Sequence, residues 1–274
     1  MKELRGRVAV VTGASSGIGH AIALAFVREG MRVVIASQNE ARLADAADAL
    51  RAEGGTVLAV PTDVADRAAV ERLAEATLAE FGAVHVLVNN AGVWAPGYAW
   101  EIAPRDWEWV VGVNFWGTVY GIQVFVPLLL REPEGHVVNV SSVGGLMTAP
   151  VHSPYSATKH AIVGLSKGLR ADLKLKGAAV GVTLVCPGMV KTNIMRQLET
   201  TGPGGAPRPQ QQLAPEVQQM WDVIGAATDA GIPAADVGPM LVAAIRDGRF
   251  WLLPNGESFH GVFEQELREL EQGA

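Results

Sequence analysis

Short apolar runs rich in β-branched residues alternate along the chain with longer segments in which apolar residues recur every three or four positions. The first pattern is typical of buried parallel strands and the second of amphipathic helices. The pattern predicts strands near residues 7–12, 32–37, 56–61, 84–89, 135–141, 179–186 and 249–253. It predicts helices at 17–29, 40–53, 66–81, 104–131, 153–176 and 236–247. This alternation implies right-handed crossovers and an α/β fold built on a parallel sheet.

No repeat or linker divides the sequence, so residues 1–274 are predicted to form a single domain. The one irregular stretch runs from Thr200 to Pro215 and is rich in Gly, Pro and Gln. A disordered linker is one interpretation of this composition. Loops of this length inside a compact domain are usually functional or mobile, which is the second interpretation.

Composition and charge exclude several classes of function. With 49% hydrophobic and 18% charged residues, the chain can bury a large core. Its net charge of −6 argues against nucleic acid or an anionic membrane as a partner. The single cysteine, Cys186, excludes an intramolecular disulfide and is interpreted as an inert core residue. We expect no metal site, no signal peptide, no membrane span and a cytoplasmic location.

A glycine-rich turn follows the first predicted strand. Gly13, Gly17 and Gly19 are spaced as G-x-x-x-G-x-G, and a predicted helix follows directly. Strand, glycine turn and helix together present backbone N–H groups and a positive helix end to a pyrophosphate. A purely structural turn is the alternative, and the position between strand and helix favours phosphate binding.

Tyr155 and Lys159 stand one helical turn apart, and Ser142 lies thirteen residues upstream of the tyrosine. Residues at i and i+4 share one face of a helix. A phenol titrates near pH ~10, and an ammonium beside it favours the phenolate and lowers that pKa. Taken alone the pair could be a surface feature of a helix, but together with the glycine turn it indicates acid–base chemistry.

Six segments occur in the order and spacing of the short-chain dehydrogenase/reductase family. They are T-G-A-S-S-G-I-G at 12–19, N-N-A-G at 89–92, Asn114, N-V-S-S at 139–142, Y-S-A-T-K at 155–159 and P-G-M-V-K-T at 187–192. The chain resembles the single-domain branch of this family, strongly over about residues 5–195. The resemblance implies a Rossmann-type doubly wound sheet of seven parallel strands with helices on both faces. It also implies a substrate lid at about 193–230 and a homodimer or homotetramer.

The resemblance assigns four catalytic residues, Asn114, Ser142, Tyr155 and Lys159. Tyr155 would exchange a proton with the substrate and Ser142 would hold the carbonyl oxygen, with Ser141 as the competing candidate. Asn114 would hold a water that links Lys159 to solvent, and a helix kink or a buried amide is its alternative role.

The resemblance also implies a nicotinamide cofactor. Matching positions are Gly13, Ser15, Ser16, Gly17, Ile18, Gly19, Ser37, Gln38, Asp63, Val64, Asn90, Ala91, Gly92, Tyr155, Lys159, Pro187, Gly188, Val190 and Thr192. An acid after the second strand would bind a ribose hydroxyl, and a base would bind a 2′-phosphate. No acid stands at position 36 or 37, Gln38 replaces the usual arginine, and Arg42 can add positive charge. We therefore favour NADP(H), with NAD(H) possible.

The segments expected beside the nicotinamide are apolar and contain Trp94, Met147 and Met189, with Met195 further on. No arginine is placed there to hold a carboxylate. A small-molecule substrate is therefore expected, a hydrophobic or aromatic alcohol or ketone rather than a sugar or a CoA thioester. Trp100 and Trp221 are placed near this pocket or the lid, while most of the seven tryptophans are expected in the core.

Three functions are compatible with these motifs. The favoured one is an NAD(P)-dependent oxidoreductase that transfers hydride, with Tyr155 as acid and base. An epimerase or dehydratase of the same family is the second, although such enzymes usually have longer chains and another glycine spacing. A non-catalytic NAD(P)-binding sensor is the third, and it would be expected to have lost Tyr155 or Lys159.

Overall fold

The computed structural model describes residues 1–194, 202 and 213–273. Seven strands form one parallel sheet in the order β3-β2-β1-β4-β5-β6-β9. These strands are β1 Val8–Thr12, β2 Arg32–Ser37, β3 Thr56–Pro61, β4 Val86–Asn89, β5 Gly135–Val140, β6 Val180–Val185 and β9 Trp251–Leu252. Two further short strands, β7 Val190–Lys191 and β8 Ile232–Pro233, pair with each other. The predicted doubly wound seven-stranded parallel sheet is confirmed.

Helices cover both faces of the sheet. They are α1 Gly17–Arg28, α2 Glu40–Ala52, α3 Arg67–Phe81, α4 Pro104–Val110, α5 Gly117–Leu129, α6 Ser153–Leu175, α7 Pro215–Asp229, α8 Ala234–Asp247 and α9 His260–Gly273. A π-helical turn, Val111–Trp116, joins α4 to α5, so the predicted helix over 104–131 is continuous but locally widened. The pattern did not predict α7 or α9. Helix α7 lies within the predicted lid, whereas much of the rest of that lid, including Met195, lies outside the described residues.

The central strands β1, β4 and β5 are buried on both faces, whereas β3 at the edge of the sheet is only half-buried. Ala9 and Val11 of β1 pack in the layer formed by α1, α2 and α8. Val8 and Val10 of the same strand pack in the layer formed by α3, α5 and α6. Because each face meets a helical layer, the strand sequences are continuous apolar runs without polar alternation. This is why their positions could be predicted closely.

The winding of the sheet reverses at β1, which pairs with β2 on one side and with β4 on the other. In open parallel sheets, ligands bind in the crevice outside the carboxyl ends of the strands at such a reversal. Gly13 follows β1 and Asn90 follows β4 at this point. The topology therefore brings the glycine turn and the N-N-A-G segment to one crevice.

One continuous helical stretch, Pro104–Leu129, is long and apolar enough to cross a membrane by length and composition, and 33% of its most apolar window is buried inside the chain. The sequence pattern did not predict this, because scattered polar residues interrupt the apolar run. The stretch packs against α3 and α6 and carries the fully buried Asn114. The helical stretch is therefore a core helix that packs against its neighbours on one face and leaves the other face uncovered.

Candidate active site

The glycine turn after β1 is shaped by close backbone packing. A Cβ on Gly13, whose φ is +64°, would lie 2.7 Å from the Cα of Ala91. A Cβ on Gly19 would lie 2.5 Å from the carbonyl oxygen of Gly13. Gly17 begins α1 with φ +57°, a conformation that side chains rarely adopt. The three glycines are therefore required by the turn itself.

Asn90 fixes this turn from the neighbouring strand. Its Nδ2 donates to the carbonyl oxygens of Thr12 at 2.9 Å and Gly13 at 3.2 Å. The Asn90 backbone N–H donates to the Thr12 hydroxyl at 3.0 Å. Asn90 thus has the turn-stabilising role, and it also lines the cleft.

The amino end of α1 faces the same cleft. The N-cap residue, Ser16, is extended and its side chain makes no capping hydrogen bond to the helix. Ser16, Gly17 and Ile18 line the cleft at this end. A helix amino terminus carries partial positive charge from its first N–H groups, which is the environment that a pyrophosphate requires.

All the predicted cofactor positions line one cleft of about 540 Å³. At its outer end, the hydroxyls of Ser15 and Ser37 are 3.0 Å apart. Gln38 does not stand free there, because its Nε2 donates to the Asp63 carboxylate at 3.2 Å. Arg42, half-buried at the start of α2, lines the cleft beside these residues. Two hydroxyls and one guanidinium are therefore available around this end.

Tyr155 and Lys159 lie on α6, which passes the carboxyl end of β5. The Lys159 Nζ donates to the carbonyl oxygen of Val140 at 2.9 Å and stands 5.5 Å from the centre of the Tyr155 ring. A Cβ on Gly92 would lie 3.4 Å from the same Nζ. The ammonium therefore lies between the end of β5, the phenol ring and the N-N-A-G segment.

Burial governs the ionisation of both groups. Desolvation raises the pKa of the Tyr155 phenol, and a hydrogen bond with the Ser142 hydroxyl opposes this rise. Desolvation lowers the pKa of Lys159 to about 8. Among the protein groups alone, desolvation raises the phenol pKa, which is opposite in direction to the predicted lowering. That prediction also included the positive ring of the cofactor, and it stays a prediction. The phenol is protonated at neutral pH.

The two serines after β5 have different partners. The Ser141 hydroxyl is buried and donates to the backbone carbonyl of Lys159 at 2.8 Å. The Ser142 hydroxyl accepts from the Gly144 N–H at 3.0 Å and donates to the Pro187 carbonyl oxygen at a longer 3.5 Å. It is also the hydroxyl that opposes the rise of the Tyr155 pKa. Because the Ser141 hydroxyl is held by the backbone of Lys159, these contacts favour Ser142 over Ser141 as the carbonyl-binding group.

Asn114 is fully buried in the π-helical turn and does not itself line the cleft. Its Nδ2 donates to the Thr158 hydroxyl at 3.1 Å. Thr158 precedes Lys159 on α6, and its hydroxyl in turn donates to the Tyr155 carbonyl oxygen at 2.8 Å. The side-chain amide therefore ties the π-helical turn to the helix that carries the catalytic pair.

The inner end of the cleft is aromatic and apolar. Trp94 and Trp221 are buried there at 4% and 8% exposure, and a small cluster of apolar side chains packs around them. Further lining residues that sequence reasoning missed are Trp109, His152, Ile194, Ile224 and Thr228. On α7, Ile224 and Thr228 line the cleft, and Trp221, three positions before Ile224, packs on Trp94. The spacing of three and four positions could have revealed that one face of this helix meets the site. His152 has no comparable signal.

The sequence predicted three substrate-binding residues. Trp94 and Met189 line the cleft as predicted, but Met147 does not. After a short 3₁₀ turn, the Met147 N–H bonds back to the Val143 carbonyl, and Val143 lines the cleft instead. The other tryptophan prediction was also wrong, because only Trp94 and Trp221 of the seven are buried. Trp100 is 78% exposed and lies outside the cleft.

Known proteins share both the sequence and the fold. A model of the short chain dehydrogenase family matches residues 7–202. A 1-deoxy-11-beta-hydroxypentalenate dehydrogenase of Streptomyces arenae is 36% identical over 257 residues, which cover 92% of this chain and 83% of that protein. A CLA biosynthesis dehydrogenase/reductase of Lactiplantibacillus plantarum is 28% identical over 276 residues, which cover 98% of this chain and 95% of that protein.

A solved structure of the same family has the same fold as this chain. The crystal structure of a short chain dehydrogenase/reductase from Burkholderia phymatum in complex with NAD has a TM-score of 0.94 and 38% identity to this chain. The match covers 100% of this chain and 97% of that one. With its parallel sheet, its glycine turn and its tyrosine–lysine helix, the chain therefore belongs to the short chain dehydrogenase family.

Proposed function

We propose that the protein is an NAD(P)-dependent oxidoreductase that interconverts a hydrophobic or aromatic alcohol and the corresponding ketone. The observation that carries the proposal is the position of Tyr155 and Ser142. Both side chains line the cleft whose other end is the glycine turn, and the Ser142 hydroxyl is near enough to the phenol to oppose the rise of its pKa. Lys159 is buried beside them.

The residues of the cleft fit a nicotinamide dinucleotide. The positive end of α1 and the glycine turn would hold the pyrophosphate, and Lys159 would donate to the ribose next to the nicotinamide. Gly13 and Gly19 leave no space for a Cβ, which would clash with Ala91 or with the carbonyl oxygen of Gly13, so the turn keeps its close backbone packing. When bound, the cofactor supplies or accepts the hydride.

We favour NADP(H) over NAD(H). Ser37 stands where an acid would select a ribose hydroxyl, and Arg42 lines the cleft beside it. The Burkholderia relative was solved with NAD, which keeps NAD(H) as the second candidate. The hydrogen bond from Gln38 to Asp63 reduces the donors available to a phosphate but removes none of the positive charge.

The role of the protein side chains in this reaction is to deliver a proton to the substrate oxygen. As hydride adds to a carbonyl carbon, negative charge develops on the oxygen, which then needs hydrogen-bond donors and a proton. The Ser142 hydroxyl would donate to this oxygen, and the Tyr155 phenol would transfer its proton to it. Burial keeps the phenol protonated at neutral pH, which suits the reductive direction. In the oxidative direction the phenolate would take the proton of the alcohol.

The lining of the inner end supports an apolar substrate. Indole and aliphatic side chains form most of its wall, among them Trp94, Trp109 and Ile224. Among the described residues that line this end, Lys159 is the only cation, and it is held by Val140. A substrate carboxylate or phosphate would therefore find no free positive partner there.

A screen of aliphatic, steroid and aromatic ketones and alcohols with each cofactor tests the proposal through the absorbance of the reduced nicotinamide. Turnover of at least one ketone, lost in Tyr155→Phe, is the expected result. An epimerase would convert substrate without net change in reduced cofactor. A sensor would bind the cofactor and convert no compound in the panel. Either of these two outcomes would refute the proposed oxidoreductase activity.

A further inference from the structure

Three aromatic rings stack at the inner end of the cleft. The ring centroids of Trp94 and His152 lie 4.2 Å apart with an interplanar angle of 18°. Those of Trp94 and Trp221 lie 4.8 Å apart at 22°. One face of an indole has no room for two rings at these distances, so Trp94 lies between the other two. The stack fixes the orientation of the indole and of its N–H.

The indole N–H of Trp94 is a buried donor that has no acceptor among the described residues. The whole side chain is 4% exposed. An unpaired buried donor costs stability, and native proteins contain few of them. Trp94 lines the cleft that contains Tyr155, so a molecule bound there is one source of the missing acceptor.

His152 supplies the complementary group. Its Nδ1 is 2.9 Å from the carbonyl oxygen of Pro150. A carbonyl oxygen only accepts hydrogen bonds, so Nδ1 carries the hydrogen. Burial lowers the pKa of His152 below its usual 6.5, which makes the neutral ring the form at pH 7. In a neutral imidazole with hydrogen on Nδ1, the Nε2 is an acceptor.

We propose that Trp94 and His152 recognise a second oxygen of the substrate, a hydroxyl that accepts from Trp94 Nε1 and donates to His152 Nε2. A hydroxyl can do both, whereas a carbonyl or a carboxylate could only accept and would leave the imidazole unpaired. The inference rests on the proposed function, because it places the reacting carbonyl at Tyr155. The Tyr155 ring centroid is 6.4 Å from that of Trp94 and 6.2 Å from that of His152.

The substrate class that follows is a hydroxy ketone, or the corresponding diol, with an apolar body. The hydroxyl would lie a few bonds from the reacting carbon, since both recognising rings are neighbours of the phenol ring. A site built to bond a substrate hydroxyl discriminates strongly against the analogue that lacks it, because the protein groups are then left unpaired.

The test uses matched pairs of aryl and alicyclic ketones that differ only in a hydroxyl on the first or second carbon from the carbonyl. Calorimetry measures the binding of each to the wild-type enzyme saturated with NADP⁺. We expect at least one hydroxy ketone to bind about tenfold more tightly than its deoxy partner. Trp94→Phe and His152→Phe keep an aromatic ring in the stack and remove the donor or the acceptor. Each should bring that ratio close to one while cofactor affinity is unchanged.

Two control variants make the same chemical changes away from the cleft. Trp100→Phe changes an exposed indole, and His160→Phe changes an exposed imidazole whose Nδ1 is 2.9 Å from the Ser156 carbonyl oxygen. Both should keep the wild-type ratio. Equal binding of both members of every pair to the wild-type enzyme would overturn the subsite, and so would a preference that survives in both cleft variants. A binding preference without turnover of any pair would support the subsite and refute the oxidoreductase.

Discussion

The side-chain amide of Asn114 forms two hydrogen bonds with the backbone of Val93. Its Oδ1 accepts from the Val93 N–H at 2.8 Å, and its Nδ2 donates to the Val93 carbonyl oxygen at 2.9 Å. The amide therefore serves as a strand-like partner for the segment that leads to Trp94. Together with the bond to Thr158, these contacts use both N–H groups of the amide and one of the two acceptor positions of its oxygen. The buried-amide role is therefore observed, and the water-holding role stays a prediction.

Asn114→Ala should therefore destabilise the protein as well as reduce activity. The substitution leaves the N–H and the carbonyl of Val93 without partners, at a cost of about 1–3 kcal/mol for each buried group left unsatisfied. Thermal or urea denaturation followed by circular dichroism measures the change. A variant with wild-type stability and no activity would instead indicate that the side chain acts only in proton transfer.

Tyr155→Phe should abolish turnover and leave cofactor affinity nearly unchanged. It removes only the hydroxyl that transfers the proton, a contribution of about 10²–10⁴ in rate. Initial rates and a fluorescence titration with NADPH measure the two effects. Tyr120→Phe is the matched control, because Tyr120 lies on α5 and does not line the cleft. Retention of most activity in Tyr155→Phe would show that another group transfers the proton.

Reduction and oxidation should depend on pH in opposite ways. Reduction needs the protonated phenol, which burial preserves, and the Lys159 ammonium, whose pKa burial lowers to about 8. Its kcat/KM should be flat near neutral pH and fall as Lys159 loses its proton above pH 8. Oxidation needs the phenolate, so its kcat/KM should rise with pH through the same range.

His152 lines the same cleft, and burial lowers its pKa below the usual 6.5, so its titration could also affect these pH profiles. A transition in the acid range that disappears in His152→Phe would belong to that imidazole. An oxidation rate that is highest at acid pH would contradict the assignment of Tyr155 as the base.

Cofactor preference should respond to two substitutions at the outer end of the cleft. Gln38→Arg adds a charge-assisted hydrogen bond to a 2′-phosphate, worth about 1.5–3 kcal/mol, so the Kd for NADPH should fall by about tenfold or more. Ser37→Asp should shift preference towards NADH, because the carboxylate repels the phosphate and accepts from a ribose hydroxyl. Ser37 is the position to change, since the preceding Ala36 is fully buried.

Fluorescence titrations of each variant with both cofactors measure these shifts. Arg51→Gln is a charge control away from the cleft, because its guanidinium pairs with Asp48 on the surface of α2. Tighter binding of NADH than of NADPH by the wild-type protein would contradict the proposed preference and leave the family assignment intact.

The sequence predicted the sheet and the cofactor cleft closely, because both depend on local chemistry. Buried parallel strands require continuous apolar runs, and the turn between Gly13 and Gly19 tolerates few other residues. The resemblance favoured Ser142 over Ser141 by its interval from Tyr155, and the structure adds a physical reason. Adjacent residues point in different directions, and the Ser141 hydroxyl is held by the Lys159 backbone carbonyl.

The substrate end was less predictable because segments distant in sequence build it. Helix α7 brings Ile224 to the cleft from a region whose glycines and prolines obscured the helical pattern. The turn after Ser142 reverses the chain, which places Val143 in the cleft and removes Met147 from it. A single histidine such as His152 has no periodicity, so its stacking on Trp94 could not be inferred.

The last prediction concerns assembly, and we propose a homodimer or homotetramer that uses the helical stretch 104–129 together with α6. Some of the apolar residues on these helices face the subunit's own core, including Val110, Ile162 and Leu169. The opposite face remains open. Trp116 is 44% exposed and stacks on Tyr120 with ring centroids 5.6 Å apart. Exposed aromatic surface of this kind is typical of protein–protein contacts.

Light scattering after gel filtration should give a mass at least twice the 28.9 kDa of one chain. Trp116→Lys places a charge in the open face and should shift the protein towards smaller species, because an unpaired charge in an apolar contact is costly. Trp100→Lys changes a more exposed tryptophan outside these helices and should leave the mass unchanged. A wild-type mass of 28.9 kDa at micromolar concentration would show that the open face of the helix is not an interface between copies of this chain.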